Sequence, residues 1–251
     1  MHFRILVEGD TEQLSLGSFF KKWLDSQLSQ PIGICITKFK GCDHYLKDVK
    51  ATANTLITVE EDLIAVIGLL DLYGLPETIY NPNKKILKAS AQDRANFCKV
   101  KIEKQVNETK FHQFFALHEI EAWLLSDPSN PALPNQVKVA ISKIKNPEEV
   151  NFDNPPAKFL NQLYDKAFGK GYKKKTDGSK LFADLNPDEV YIKCPNFKVT
   201  LDKMLELAKQ PAYKTIFLTL QKLREKNDNS TNNGWGGFYW LAIGRRITQS
   251  E

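Results

Sequence analysis

Residues 3–8, FRILVE, form a short apolar run, and Gly9, Asp10 and Thr11 follow it. Leu14, Leu16, Phe19, Phe20, Trp23 and Leu24 then recur at spacings of three and four until Pro31. The pattern predicts a strand, a turn and a helix, with Thr11 as the N-cap. Ile32 to Phe39 alternates in part and is rich in Ile, while Tyr45 to Asp62 has helical spacing. Leu63 to Leu72 is the most continuous apolar run, bounded by charges before and by Gly74 and Pro76 after, which predicts a central strand buried on both faces. A helix over Ala89–Val106 and a strand over Phe111–Leu117 complete an alternation of strands and helices. That order predicts an α/β sheet of four strands with parallel crossovers.

The texture changes after Pro128. Pro131, Pro134, Pro147, Pro155 and Pro156 separate shorter helical pieces at 136–145 and 157–168. Tyr172 to Lys180 reads as a polar basic loop, Pro187 to Glu189 as the opening of a short helix, and Asn196–Gln210 and Ala212–Lys226 as two amphipathic helices. The expected organisation is an α/β core over residues 1–128, a helical, Lys-rich part of the same globular unit over 129–226, and a polar linker with a short apolar tail over 227–251.

Composition narrows the class. Hydrophobic residues at 42% and charged residues at 26% exclude a disordered chain, and no apolar stretch is long enough to span a membrane. Met1 leads straight into the first strand without a signal-like arrangement, and Cys35, Cys42, Cys98 and Cys194 lie far apart without zinc-site spacing. A reduced, cytoplasmic setting is expected. The net charge of +5 conceals a division: residues 1–128 carry 15 Lys and Arg against 17 Asp and Glu, and the remainder carries 20 against 13. Such a split suits a protein that holds a cation with one part and a polyanion with the other.

Open α/β sheets bind ligands beyond the carboxyl ends of their strands, and acids recur there in this chain. Glu8 ends the first strand, Asp71 ends the third, and Glu119 and Glu121 follow the fourth. Carboxylates gathered at one rim repel unless a divalent cation joins them. Mg²⁺, or Mn²⁺, takes a few carboxylates with water and phosphate oxygens, which points to phosphoryl transfer or phosphodiester hydrolysis. Glu12 supports the site through water or by orientation, and His118 reads as a structural hydrogen-bonding residue beside the acids.

The blocks LVEGDTE at 6–12, LLDLYGLP at 69–76, LHEIEAWLLSD at 117–127 and KTDGSKLFADLNPDEVYIKCPNF at 175–197 resemble, in order, those of the Toprim-like family of the domain of unknown function 4276. The resemblance implies a Toprim/Rossmann-like, mostly parallel sheet flanked by helices, with a mainly helical C-terminal part packed on it. It implies that Glu8 acts as general acid or base and that Asp71 binds Mg²⁺ as the first Asp of an Asp-x-Asp motif. Tyr73 stands where that motif has its second Asp. Glu119 or Glu121 could then supply the missing carboxylate, while Tyr73 could bond a phosphate or stack on a base. An ATPase partner of the ABC or SMC-like class, in defence or repair, is a further implication of the resemblance.

Lys158, Lys173, Lys174, Lys175 and Lys180 surround Tyr164, Phe168 and Tyr172, a pattern that fits a groove tracking a nucleic-acid backbone with stacking positions. The leading expectation is a metal-dependent nuclease or related phosphoryl-transfer enzyme acting on DNA or RNA. A non-catalytic regulatory partner with a degenerate site that binds nucleic acid or a nucleotide is the alternative, and a small-nucleotide phosphohydrolase is a third reading.

Overall fold

The structure, a computed structural model, describes residues 1–149 and 154–210. Four parallel strands, β1 (His2–Val7), β2 (Gly33–Lys38), β3 (Leu63–Asp71) and β4 (Phe111–Ala116), form one sheet in the order β2-β1-β3-β4. The expected four-stranded, Toprim/Rossmann-like sheet flanked by helices is therefore present, and each pairing in it is parallel. Every residue of β3 is buried, as its unbroken apolar run requires of a strand covered on both faces.

Helix α1 (Asp10–Gln27) joins β1 to β2, α2 (Cys42–Val59) carries the chain back past β1 to β3, and α3 (Ala91–Val106) joins β3 to β4. The chain thus leaves β1 toward one edge of the sheet and returns to the other side of it. That reversal opens a crevice between the carboxyl ends of β1 and β3, where loops on either side turn in opposite directions.

Two cores flank the sheet. On one face Tyr45, Val49 and Ala53 of α2 and Ala95, Cys98 and Ile102 of α3 pack on Leu6, Val66 and Leu70. The Tyr45 hydroxyl donates to Gln113 Oε1 at 2.6 Å inside this core, above Gly68. On the other face Phe19 and Phe20 of α1 meet Trp123, Phe182 and Phe197, with the Phe19 and Phe182 centroids 5.6 Å apart. These last three rings belong to the helical region: α4 (Glu121–Leu124), α5 (Asn135–Ile141), α6 (Pro156–Phe168), α7 (Ser179–Asp184), α8 (Pro187–Lys193) and α9 (Pro195–Lys209). The expected helical C-terminal part thus covers the sheet largely through α1.

Several local expectations change. Helix α1 begins at Asp10 behind an extended Gly9, so Thr11 lies inside the first turn, buried, and does not cap it. Residues 172–180 are not an open loop. Asp177 N and Gly178 N both donate to Lys173 O, the second bond closing a π-helical turn over Lys174–Gly178 that runs into α7. Tyr164 and Tyr172 are buried against each other, with centroids 5.5 Å apart, and serve packing instead of base stacking; Phe168 alone of the three aromatic positions is exposed. The helix expected over 212–226 and the linker and tail over 227–251 lie outside the described residues.

A Cβ at Gly68 would collide with both the Tyr45 hydroxyl and Gln113 Oε1, neither of which can retreat from the buried pair. Gly68→Ala is expected to destabilise the fold by roughly 1–3 kcal/mol, the usual cost of overpacking, measurable as a lower urea midpoint with an unchanged m-value.

Candidate metal centre

The carboxyl end of β1 delivers Glu8 and that of β3 delivers Asp71 to the two sides of the crevice. The first turn of α1 folds Glu12 back over Gly9. A Cβ at Gly9 would lie 2.6 Å from Glu12 Oε2, so the absence of a side chain there makes room for the carboxylate. Glu8, Glu12 and Asp71 each offer an oxygen, and the three oxygens lie within 4.8 Å of one another. Asp71, Glu119 and Glu121 form a second triad by the same measure. Asp71 is common to both.

The second triad depends on how the chain leaves β4. Leu72 N donates to Ala116 O and Tyr73 N to His118 O, which extends the pairing of the two strand ends beyond the sheet. His118 then takes a φ of 67°, a left-handed conformation that non-glycine residues seldom adopt. The turn brings Ile120 N to 2.9 Å from Asp71 Oδ1, to which it donates. Glu119 accepts from Ala157 N, in the first turn of α6, at 3.0 Å and from Lys174 Nζ at 2.9 Å. Lys174 Nζ also lies 3.4 Å from Glu121 Oε2, whereas Glu121 Oε1 is buried with no hydrogen-bond partner among the described residues.

Electrostatics follow from this crowding. Burial, with Glu12 next, pushes Glu8 up to about 7 from the usual 4.5, and Lys174 opposes the shift. Burial likewise raises Glu121 to about 7, again opposed by Lys174. Asp71 is held well above its ordinary value by burial and by Glu12, Glu121 and Glu8, and Glu12 is raised by burial. Burial alone would lower the Lys174 pKa, but Glu121 and Glu119 override it and keep the ammonium charged.

A pocket of about 560 Å³ opens onto the first triad, lined by Glu8, Glu12, Asp71 and Lys174 together with the start of α2. Cys42, on that start, has its thiol pushed up to about 12 by burial and by Glu8, so it faces the acids as a neutral group. Tyr73 is 44% exposed just beyond Asp71. The lysines expected to grip a polyanion, Lys158, Lys173, Lys174, Lys175 and Lys180, are all exposed, and of these Lys174 turns its ammonium onto Glu119 and Glu121. The spacing of Glu8 and Glu12 signals the first triad only once the strand-to-helix turn at Gly9 is known. Glu12, expected in a supporting place, stands in the same triad with Asp71 as Glu8 does.

An oxygen-only donor set, a buried carboxylate oxygen with no partner among the described residues and a pocket with room for water fit a hard divalent cation such as Mg²⁺ or Mn²⁺. The sequence from residue 7 to residue 205 matches the family described as domain of unknown function (DUF4276). No curated protein matches it. Among solved structures, the C-terminal region of the Burkholderia pseudomallei OLD protein is similar over 79% of this chain and 98% of its own, with 16% identity and a TM-score of 0.35. The C-terminal region of the Xanthomonas campestris pv. campestris OLD protein is similar over 87% and 97%, with 15% identity and a TM-score of 0.37.

Because Glu8 and Glu121 titrate near 7 in the folded chain against the usual 4.5, their contribution to stability is complete below about 4.5 and is lost as pH rises through about 7. Without divalent metal, the melting temperature is expected to fall by several degrees between about pH 5 and about pH 8, with Mn²⁺ restoring most of it at the upper end because it binds the deprotonated acids. Lys174→Met is expected to steepen the metal-free fall. A flat profile in thermal melts would show that charge crowding does not govern the stability of the centre.

Proposed function

The chain belongs to the DUF4276 family, and we propose that it is a metal-dependent nuclease or closely related phosphoryl-transfer enzyme acting on DNA or RNA. The observation that carries this reading is the pair of carboxylate triads sharing Asp71 at the carboxyl edge of a parallel sheet. Sequestered carboxylates of this number are unfavourable without a cation, and a divalent ion among them supplies Lewis-acid stabilisation of a scissile phosphate.

In this reading Asp71 is the central ligand, with Glu12 and with Glu119 or Glu121 at its sides. The Ile120 N–H fixes the orientation of Asp71, and the Ala157 N–H does so for Glu119. Glu8 is the acid or base: its carboxyl lines the pocket and titrates near 7, so it takes a proton from an attacking water or returns one to the leaving oxygen close to neutral pH. Lys174 keeps positive charge beside the second triad and moderates the repulsion between the two sets of acids. The exposed Lys158, Lys173, Lys175 and Lys180 hold the nucleic-acid backbone. An ATPase of the ABC or SMC-like class is the partner that the family resemblance suggests, in defence or repair.

Tyr73 at the second Asp position favours the rival reading of a degenerate, regulatory domain. Glu12 answers it by bringing a carboxylate to Asp71 from the helix side.

Purified protein incubated with mixed DNA and RNA substrates and Mg²⁺ or Mn²⁺ is expected to cleave one of them. Glu8→Gln and Asp71→Asn are each expected to lower the rate by about 10²-fold or more while leaving nucleic-acid binding in place. Cleavage that survives both substitutions would remove this centre from the chemistry. Binding with steep salt dependence but no cleavage, even beside an ATPase partner, would establish the regulatory reading instead.

A further inference from the structure

Asp10 stands at the mouth of the pocket, at the start of α1, and two ammonium groups meet on its carboxylate. Lys38, the last residue of β2, bonds Asp10 Oδ1, and Lys175 Nζ lies 3.4 Å from Oδ2. Both lysines sit on elements fastened to the acid cluster. Phe39 N donates to Val7 O at 2.8 Å and Gly41 N donates to Glu8 O at 3.1 Å, so the strand end that bears Lys38 is pinned beside Glu8. Lys175 adjoins Lys174, whose ammonium is held by Glu119 and Glu121. The pair is therefore placed relative to the chemistry by backbone bonds on one side and by a partly buried ion pair on the other.

The ion pairs themselves are weakly held. The side chains of Lys38, Lys175 and Asp10 are 33%, 66% and 46% exposed, and pairs of this kind are readily exchanged for other partners. The rest of the pocket wall carries more acid than base, with Asp43 joining Glu8, Glu12 and Asp71 against Lys174. A polyanion approaching that wall needs cations at the edge before it can reach the interior.

We propose that Lys38 and Lys175 form a two-lysine clamp for phosphates next to the reacting one in a nucleic-acid backbone, with Asp10 as the tethered competitor that occupies the clamp when no nucleic acid is bound. This rests on the reading of the chain as an enzyme acting on nucleic acid, and it adds the sheet-side residue Lys38 to the lysines of the helical region. On binding, the ammonium groups turn from the carboxylate to phosphate oxygens, and no covalent bond changes. Asp10 then remains between two bound phosphates as a repelling charge. Removing that charge strengthens binding, whereas it would weaken binding if Asp10 merely ordered the lysines.

The test is fluorescence anisotropy of the full chain with labelled single-stranded DNA and RNA of about 20 nucleotides, at several salt concentrations, in EDTA and separately in Ca²⁺. Asp10→Asn is expected to tighten binding by about three- to tenfold at low salt, and Asp10→Ser to do the same, which guards against an effect peculiar to one side chain. Lys38→Gln and Lys175→Gln are each expected to weaken binding and to reduce the slope of log K against log salt by about 0.7, with Lys38→Arg retaining the wild-type slope. Wild-type binding with no change in the lysine variants, or with Asp10→Asn weaker or unchanged, overturns the clamp and leaves the nuclease reading to its cleavage assay. Failure of the wild type to bind either oligonucleotide in both buffers overturns the nucleic-acid reading and the clamp with it.

Discussion

Carboxylates brought within a few ångströms of one another away from bulk water repel strongly, and the crevice between β1 and β3 collects five of them in two triads with a common Asp71. Much of the nearby structure answers that repulsion. Ile120 and Ala157 turn backbone N–H groups onto Asp71 and Glu119, Lys174 enters from the helical region, and Gly9 leaves space in which Glu12 can lie close. His118 accepts a left-handed backbone so that the chain after β4 can aim the Ile120 N–H inward. The strained residue and the buried acids are parts of one arrangement, in which local conformational cost secures the orientation of the central carboxylate.

Charge segregation along the sequence has a corresponding form in space, though not a simple one. The Lys-rich second half does more than present cations outward. Lys174, itself exposed, reaches from it with its ammonium to the acids Glu119 and Glu121. In this run of three exposed lysines, Lys174 pairs with Glu119 and Glu121 while Lys175 pairs with Asp10 at the mouth of the pocket. Surface composition alone would assign all three the same task.

The sheet was legible in the sequence because apolar runs ending in acids are a strong local signal: β3 is an unbroken buried run, and Glu8 and Asp71 fall at strand ends where the crossover order requires the crevice. The grouping of acids was legible for the same reason. What local pattern did not disclose depends on contacts distant in the chain. The full membership of Glu12 needed the approach over Gly9, the inward turn of Lys174 needed the second triad, and the burial of Tyr164 and Tyr172 needed their mutual packing. Thr11 failed as a cap because the helix starts two residues earlier than that cap requires, with Gly9 in the N-cap position. Glu148 likewise gives no sequence signal of its task, which is to accept the N–H groups of Asn196 and Phe197 at the head of α9.

The bond from Ala157 N to Glu119 spans 38 residues, and that from Lys174 spans 55. During synthesis the four strands emerge before either donor exists, so the nascent sheet carries its acids at the crevice without two of their compensating partners. The α/β core and its chemistry are therefore completed at different times. A chain interrupted between β4 and α6 would keep the strands that deliver the acids while lacking the groups that make their proximity tolerable, which ties the integrity of the site to the start of α6 and the turn that carries Lys174.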